Sequence, residues 1–176
     1  RGQLQLDAQS LRLLEQYDVD YVRAGAGLTA DQQEQMRSLN SQIAVLRTQY
    51  RQNVLSEVNE LAIVVDSREE LTGMSEALIA AAENEAEARE LPGKFVIPLL
   101  NTSGQPSLAS LQNRALRERI YTTSLSRGSR GGPYENTQIL SDVLRLRAER
   151  AQLLGYSNHA AFVLEDATAG TVEAVN

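Results

Sequence analysis

The chain has no cysteine, no tryptophan, one histidine and one lysine in 176 residues. Lack of cysteine removes disulfides, thiolate nucleophiles and every cysteine-based zinc site at once. With His159 as the sole imidazole, neither H-E-x-x-H nor any two-histidine metal site can be assembled from these residues. No apolar run approaches the ~18 residues that a membrane-spanning helix needs. No signal-peptide pattern is visible either, so a cytoplasmic setting is expected, with the periplasm as the alternative. Basic residues number 17 against 23 acidic ones, a net charge of −6. That balance argues against general nucleic-acid binding, and no membrane partner is expected.

Hydrophobic residues make up 42% of the chain, enough for one core that buries roughly 70% of the unfolded surface. The charge is unevenly placed. Residues 57–90 carry ten acids and two arginines, and residues 114–150 carry eight arginines and four acids.

Helical periodicity dominates. After Thr29, apolar residues fall at Met36, Leu39, Ile43, Leu46, Tyr50, Val54 and Val58, a stripe that predicts a helix about 28 residues long. Thr29 and Gln32 have the spacing of a capping box, and Asp31 suits the first turn. Leu4 to Val22 predicts another helix with Leu11, Leu14, Tyr17 and Tyr21 on one side. Gly25 and Gly27 stop it, so the two helices are expected to form a long antiparallel hairpin.

The middle departs from that pattern. Leu61–Val65 is β-branched, and Phe95-Val96-Ile97 opens a second such run that Pro98 confines to an edge or ends. A small β element is therefore expected at about 61–66 and 94–100, with a helix from Ser75 to about Arg89 between them. Asn101 to Pro106 reads as a turn. Helices are expected again through Leu108, Leu111, Ala115, Leu116 and Ile120, and through Ile139, Leu140, Val143, Leu144, Ala151 and Leu154. The intervening 126–133 is rich in glycine and reads as a mobile connector. Gly155 suits a helix C-terminus with Tyr156 as its hydrophobic follower, and Ser157 is expected to cap a last helix through Leu164. Thr171–Asn176 reads as the cap and first turn of one further helix. That ending, and a helix expected almost at once after Arg1-Gly2, read as those of an excerpt from a longer protein.

Candidate site residues are few. His159 has no G-x-S-x-G elbow or comparable nucleophile, and reads as a packing or capping residue. Arg127 to Gly132 lacks the lysine and the strand-to-helix setting of a phosphate-binding loop; its two arginines would otherwise suit a carboxylate or an acidic surface. Arg114, Arg117, Arg119, Arg145, Arg147 and Arg150 are interrupted by Glu118, Asp142 and Glu149 without interleaved aromatics, which favours solvated helix faces. Glu83, Glu85, Glu87 and Glu90 lack calcium-loop spacing. Asn101-Thr102-Ser103 matches the glycosylation sequon, read as chance. No catalytic, cofactor-binding or metal residue is assigned.

The order of segments carries more. Tyr21-Val-Arg-Ala-Gly-Ala-Gly-Leu28 leads into a helix ending near Tyr50-Arg-Gln-Asn53. Leu61–Asp66, Arg68–Gly73, Gly93–Asn101 and Asn113–Arg119 follow, then Leu144-Arg-Leu-Arg-Ala-Glu-Arg150 and Leu154-Gly-Tyr-Ser-Asn-His-Ala-Ala-Phe-Val-Leu-Glu-Asp166. This succession resembles the thimet oligopeptidase family of zinc metallopeptidases, and within it the bacterial peptidyl-dipeptidases. The resemblance implies a mainly helical, zincin-like oligopeptidase with a channel for short peptides. It places the family's H-E-x-x-H and later glutamate beyond Asn176. Residues 1–176 would then be one helical fragment on the N-terminal side of the zinc region, a non-catalytic scaffold and channel wall. It would hold no zinc itself and would be inactive alone; its partners would be the C-terminal catalytic half and, for the parent enzyme, oligopeptide substrates. The alternative is a self-contained helical interaction module using the opposed acidic and basic segments.

Overall fold

The computed structural model describes residues 6–100 and 104–176. The expected helix start at Leu4 and the sequon at 101–103 lie outside the described residues. The elements are α1 (Ala8–Arg23), α2 (Ala30–Glu60), β1 (Ile63–Val65), α3 (Glu76–Ala88), β2 (Phe95–Ile97), α4 (Arg114–Leu125), α5 (Thr137–Leu153) and α6 (His159–Leu164). The fold is mainly helical with a small antiparallel sheet. The chain divides into two compact units, Arg1–Arg47 with Ser141–Asn176, and Thr48–Leu140.

Helix ends follow the local chemistry of the sequence. Thr29 Oγ1 accepts from the Gln32 N–H at 3.3 Å while Gln32 Oε1 accepts from the Thr29 N–H at 3.0 Å, the reciprocal capping box. Ser75 caps α3 by accepting from the Leu78 N–H at 3.4 Å. After α5, Gly155 takes a φ of 88°, and the Tyr156 N–H donates to the Ala151 carbonyl at 2.9 Å, which closes the left-handed cap. The cap of α6 is Asn158 and not Ser157: its Oδ1 accepts from the Ala161 N–H at 2.9 Å. Asn at that position reaches a first-turn amide directly, so the helix begins at His159. At the end of the chain, Thr171 Oγ1 accepts from the Ala174 N–H at 3.2 Å, a capping contact within a turn that is not a helix.

In the first unit, the core is Leu39, Ile43 and Leu146, with Leu46 and Leu153 packed against it. Helix α1 follows Asp7, which accepts from the Ser10 N–H at 2.8 Å, but it contributes no buried residue. The apolar stripe Leu11, Leu14, Tyr17 and Tyr21 is 47–65% exposed. The opposite, more polar side is the one engaged. Gln16, Val19 and Arg23 are partly buried, Gln16 donates to Asp166 at 3.4 Å, and Arg23 donates to the Phe162 carbonyl and pairs with Glu165.

In the second unit, β1 and β2 pair antiparallel in the register Ile63↔Ile97, Val64↔Val96, Val65↔Phe95. Pro98, which has no N–H, follows directly and the ladder stops. The strands are shorter than the apolar runs that announced them. Ile63, Val65, Leu71, Ile79, Ile97, Leu99, Leu111, Leu116 and Ile120 form the core. Leu108 and Leu111 do not lie in α4. A 3₁₀ turn over Pro106–Ala109 holds Leu108, and Asn113 starts α4 afresh by accepting from the Leu116 N–H at 3.1 Å. Leu111 reaches the core from the linker between them. That linker lies against the left-handed Gly73, φ 97°, where an added Cβ would stand 2.2 Å from the Ser110 carbonyl.

Candidate functional site

His159, the only histidine, sits in the first turn of α6 in a cluster of aromatic and cationic groups. The Phe162 ring lies 4.4 Å from the Arg23 guanidinium and 5.2 Å from that of Arg150. Tyr156 meets the ring edge-on at 5.2 Å, and His159 stacks against it with centroids 6.1 Å apart. Two cations over one aromatic ring form a cation–π packing unit. Arg150 also donates to Asn40 Oδ1 at 3.1 Å, and the Tyr156 hydroxyl donates to Glu165.

The electrostatics of this cluster oppose a general-acid role at neutral pH. Burial, reinforced by the positive charges of Arg147 and Arg150, pushes His159 below its ordinary value. Burial, with Arg147 and Arg47 nearby, likewise lowers Arg150. His159 Nδ1 has no hydrogen-bond partner, so no carboxylate orients the ring as catalysis would require. Among the described residues no three of His, Asp and Glu converge as a metal centre would need.

The glycine-rich loop is tied down more firmly than its composition implies. Glu57, 5% exposed, accepts from the Gly128 N–H at 2.5 Å. Gly128 in turn accepts from the Asn136 N–H at 2.8 Å. The Asn136 side chain is buried, donates to the Tyr50 carbonyl at 3.2 Å and accepts from Asn53 at 3.0 Å. Arg127, expected to face a carboxylate or an acidic surface, donates to the Ser124 and Leu100 carbonyls. Glu135 accepts from the N–H of Gly131 at 2.7 Å and that of Thr137 at 3.0 Å. Hydrogen bonding from the Thr137 hydroxyl, and then from these amides, holds its carboxyl below the usual range. This is the architecture of a braced connector.

Three more arginines of the basic segment make structural contacts. Arg117 donates to the carbonyls of Leu111 and Gln112 at 2.7 and 2.8 Å, and Arg119 to that of Val64 at 3.0 Å. Arg145 pairs along its own helix with Glu149 at 2.7 Å and Asp142 at 3.3 Å. On the acidic helix, Glu85 pairs with Arg89 at 2.8 Å. An apolar groove of about 330 Å³ opens between α3 and β2, lined by Met74, Leu78, Val96, Pro98 and Leu100 among others. Its one carboxylate is the Glu85 already paired with Arg89, and Gln105 and Ser107 are its other polar side chains.

In this helical chain several arginines brace the backbone of neighbouring segments. Comparison with known proteins gives it a family setting. Residues 107–176 match the model for peptidase family M3, and likeness to peptidases extends over nearly the whole chain. It is 36% identical to dipeptidyl carboxypeptidase of Escherichia coli (strain K12) over 174 residues, 99% of this chain and 26% of that protein. Identity to dipeptidyl carboxypeptidase of Salmonella typhimurium is 33% over the same span, and to oligopeptidase A of Escherichia coli 35% over 145 residues, or 80% of this chain and 21% of that protein. The chain thus spans about a quarter of the length of the curated relatives it matches. No helix among the described residues is long and apolar enough to cross a membrane.

Proposed function

We infer that this chain is a non-catalytic segment of a larger zinc-dependent peptidyl-dipeptidase, an enzyme that removes dipeptides from the C-termini of oligopeptides. The observation that carries this reading is the alignment of 99% of the chain with only 26% of a dipeptidyl carboxypeptidase. On this reading the segment supplies scaffold and channel wall, and zinc with its ligands belongs to the catalytic part that lies C-terminal to it in family order. The parent works in the cytoplasm or the periplasm on short, flexible peptides. A self-contained interaction module is the weaker reading, because four of the eight arginines in 114–150 are bonded to carbonyls and neighbouring acids.

The test compares the full-length gene product with residues 1–176 alone. The full-length protein is expected to hold zinc after dialysis and to release C-terminal dipeptides from a blocked tetrapeptide, with chelators abolishing release. The segment alone is expected to do neither. Stoichiometric zinc and chelator-sensitive hydrolysis by the segment alone would reject the non-catalytic assignment.

A further inference from the structure

Helix α1 turns its apolar side to solvent. Leu11, Leu14, Tyr17, Tyr21 and Val22 follow one another at helical spacing, and each is about half exposed or more. Asp18 lies within that face, four residues after Leu14 and three before Tyr21, and has no ion-pair partner among the described residues. The polar residues of the other side, Gln16 and Arg23, make the contacts to the stretch 162–166. An amphipathic helix normally does the reverse. Five such apolar side chains on one face, two of them tyrosines, have the composition that docking surfaces favour.

We propose that this face of α1 is covered, in the longer polypeptide, by an apolar helix from outside the present chain that brings a lysine or arginine against Asp18. The proposal rests on the reading of the chain as a segment of a larger protein, with some three quarters of its relatives' length outside the aligned part. Extent argues for a tethered occupant. A helix of 16 residues is roughly 24 Å long, and one face of it is small beside the ~800 Å² per partner typical of stable complexes between separate chains. A segment of the same polypeptide avoids the rigid-body entropy that a second copy would lose on binding.

The experiment uses the full-length protein and the present chain in parallel. Because the chain has no cysteine, Tyr17→Cys is a single thiol reporter within it, read by mass spectrometry of the labelled peptide. Its modification is expected to be about tenfold or more slower in the full-length protein than in the present chain. Leu14→Glu with Tyr21→Glu, both good helix formers, is expected to leave the melting temperature of the present chain unchanged. In the full-length protein it should lower it by about 5 °C. Equal labelling with unchanged melting in both would overturn the proposal. So would a dimer of the present chain, seen by sedimentation, that protects the thiol as well as the full-length protein does. Zinc content and chelator-sensitive hydrolysis of the same full-length sample report separately on the peptidase reading: protection without activity keeps this face and rejects the peptidase, and activity without protection does the opposite.

Discussion

At the residue scale, two backbone positions in the left-handed region make opposite predictions. Gly73 stands at φ 97° with the Ser110 carbonyl 2.2 Å from where a Cβ would be. Gly73→Ala therefore meets both backbone strain and a clash with backbone, and is expected to lower stability by about 3 kcal/mol or more in urea unfolding. Glu90 occupies the left-handed position after α3 at φ 59°, with the Leu91 N–H donating to the Ala86 carbonyl at 2.9 Å as a glycine-type cap would. Glu90→Gly should stabilise by about 1 kcal/mol, seen as a higher urea midpoint with unchanged slope. Glycine at 155 was recognisable as a cap from the sequence, whereas glutamate at 90 was read only as part of an acidic face. The difference is physical: glycine advertises a left-handed position and glutamate does not.

His159 gives a pH dependence whose sign follows from the depressed ring. The folded state holds the imidazole below the ~6.5 of the unfolded chain through burial and then through Arg147 and Arg150. The unfolded chain therefore binds more protons in the window between the two values. The stability contributed by the neutral ring is complete above about pH 6.5 and is lost as pH falls through the folded value. A fall in unfolding free energy from pH 7.5 toward 5.5 that is shallower in His159→Gln would show this, and the imidazole resonances should titrate with a midpoint below 6.5. A midpoint above 6.5 would contradict the assigned surroundings.

Among the elements, the helix starts and the strand pair were legible because their signals are local. Thr29 and Gln32 are three residues apart, Ser75 sits directly before its helix, and each strand is a continuous β-branched run. The braced loop was not legible. Its anchor, Glu57, is 71 residues from Gly128, and nothing in Ser126–Pro133 marks it as held. Glu57→Ala should leave the Gly128 amide without its buried acceptor and destabilise by roughly 2 kcal/mol. Glu57→Gln, which keeps an accepting oxygen, should lose less. Hydrogen exchange at Gly128 is the direct readout, with faster exchange in the alanine variant. An unchanged rate in Glu57→Ala would mean that the loop is held by its other bonds alone. Whether the apolar face of α1 is covered was not legible for a related reason. Periodicity reports which side of a helix is apolar, but whether that side is covered depends on residues far away or in another part of a longer chain.

At the scale of the molecule, the two compact units each have a core of their own, and those cores differ greatly in size. The main cluster of the second unit joins nine buried hydrophobic residues, whereas Leu39, Ile43 and Leu146 are the buried members of the smaller cluster in the first. A small cluster has few neighbours to close over a deleted side chain, but it also has less cooperative structure to lose. Ile120→Ala removes a fully buried side chain from the larger core and is expected to lower stability by about 3–4 kcal/mol. Leu146→Ala, 2% exposed as wild type, is expected to act chiefly through local opening. Native-state hydrogen exchange separates the two. Ile120→Ala should reduce protection in β1, β2 and α4, and Leu146→Ala in the parts of α2 and α5 that carry Leu39, Ile43 and Leu146. If Leu146→Ala instead lowered protection in the strands as much as Ile120→Ala does, the smaller cluster would have to be part of one cooperative core. An isolated segment whose first unit opens readily is also what a scaffold piece would be if its missing neighbours normally complete it. The same exchange measurement on the full-length protein should then show α1 and the Leu39–Ile43–Leu146 cluster gaining protection, with the larger core little changed.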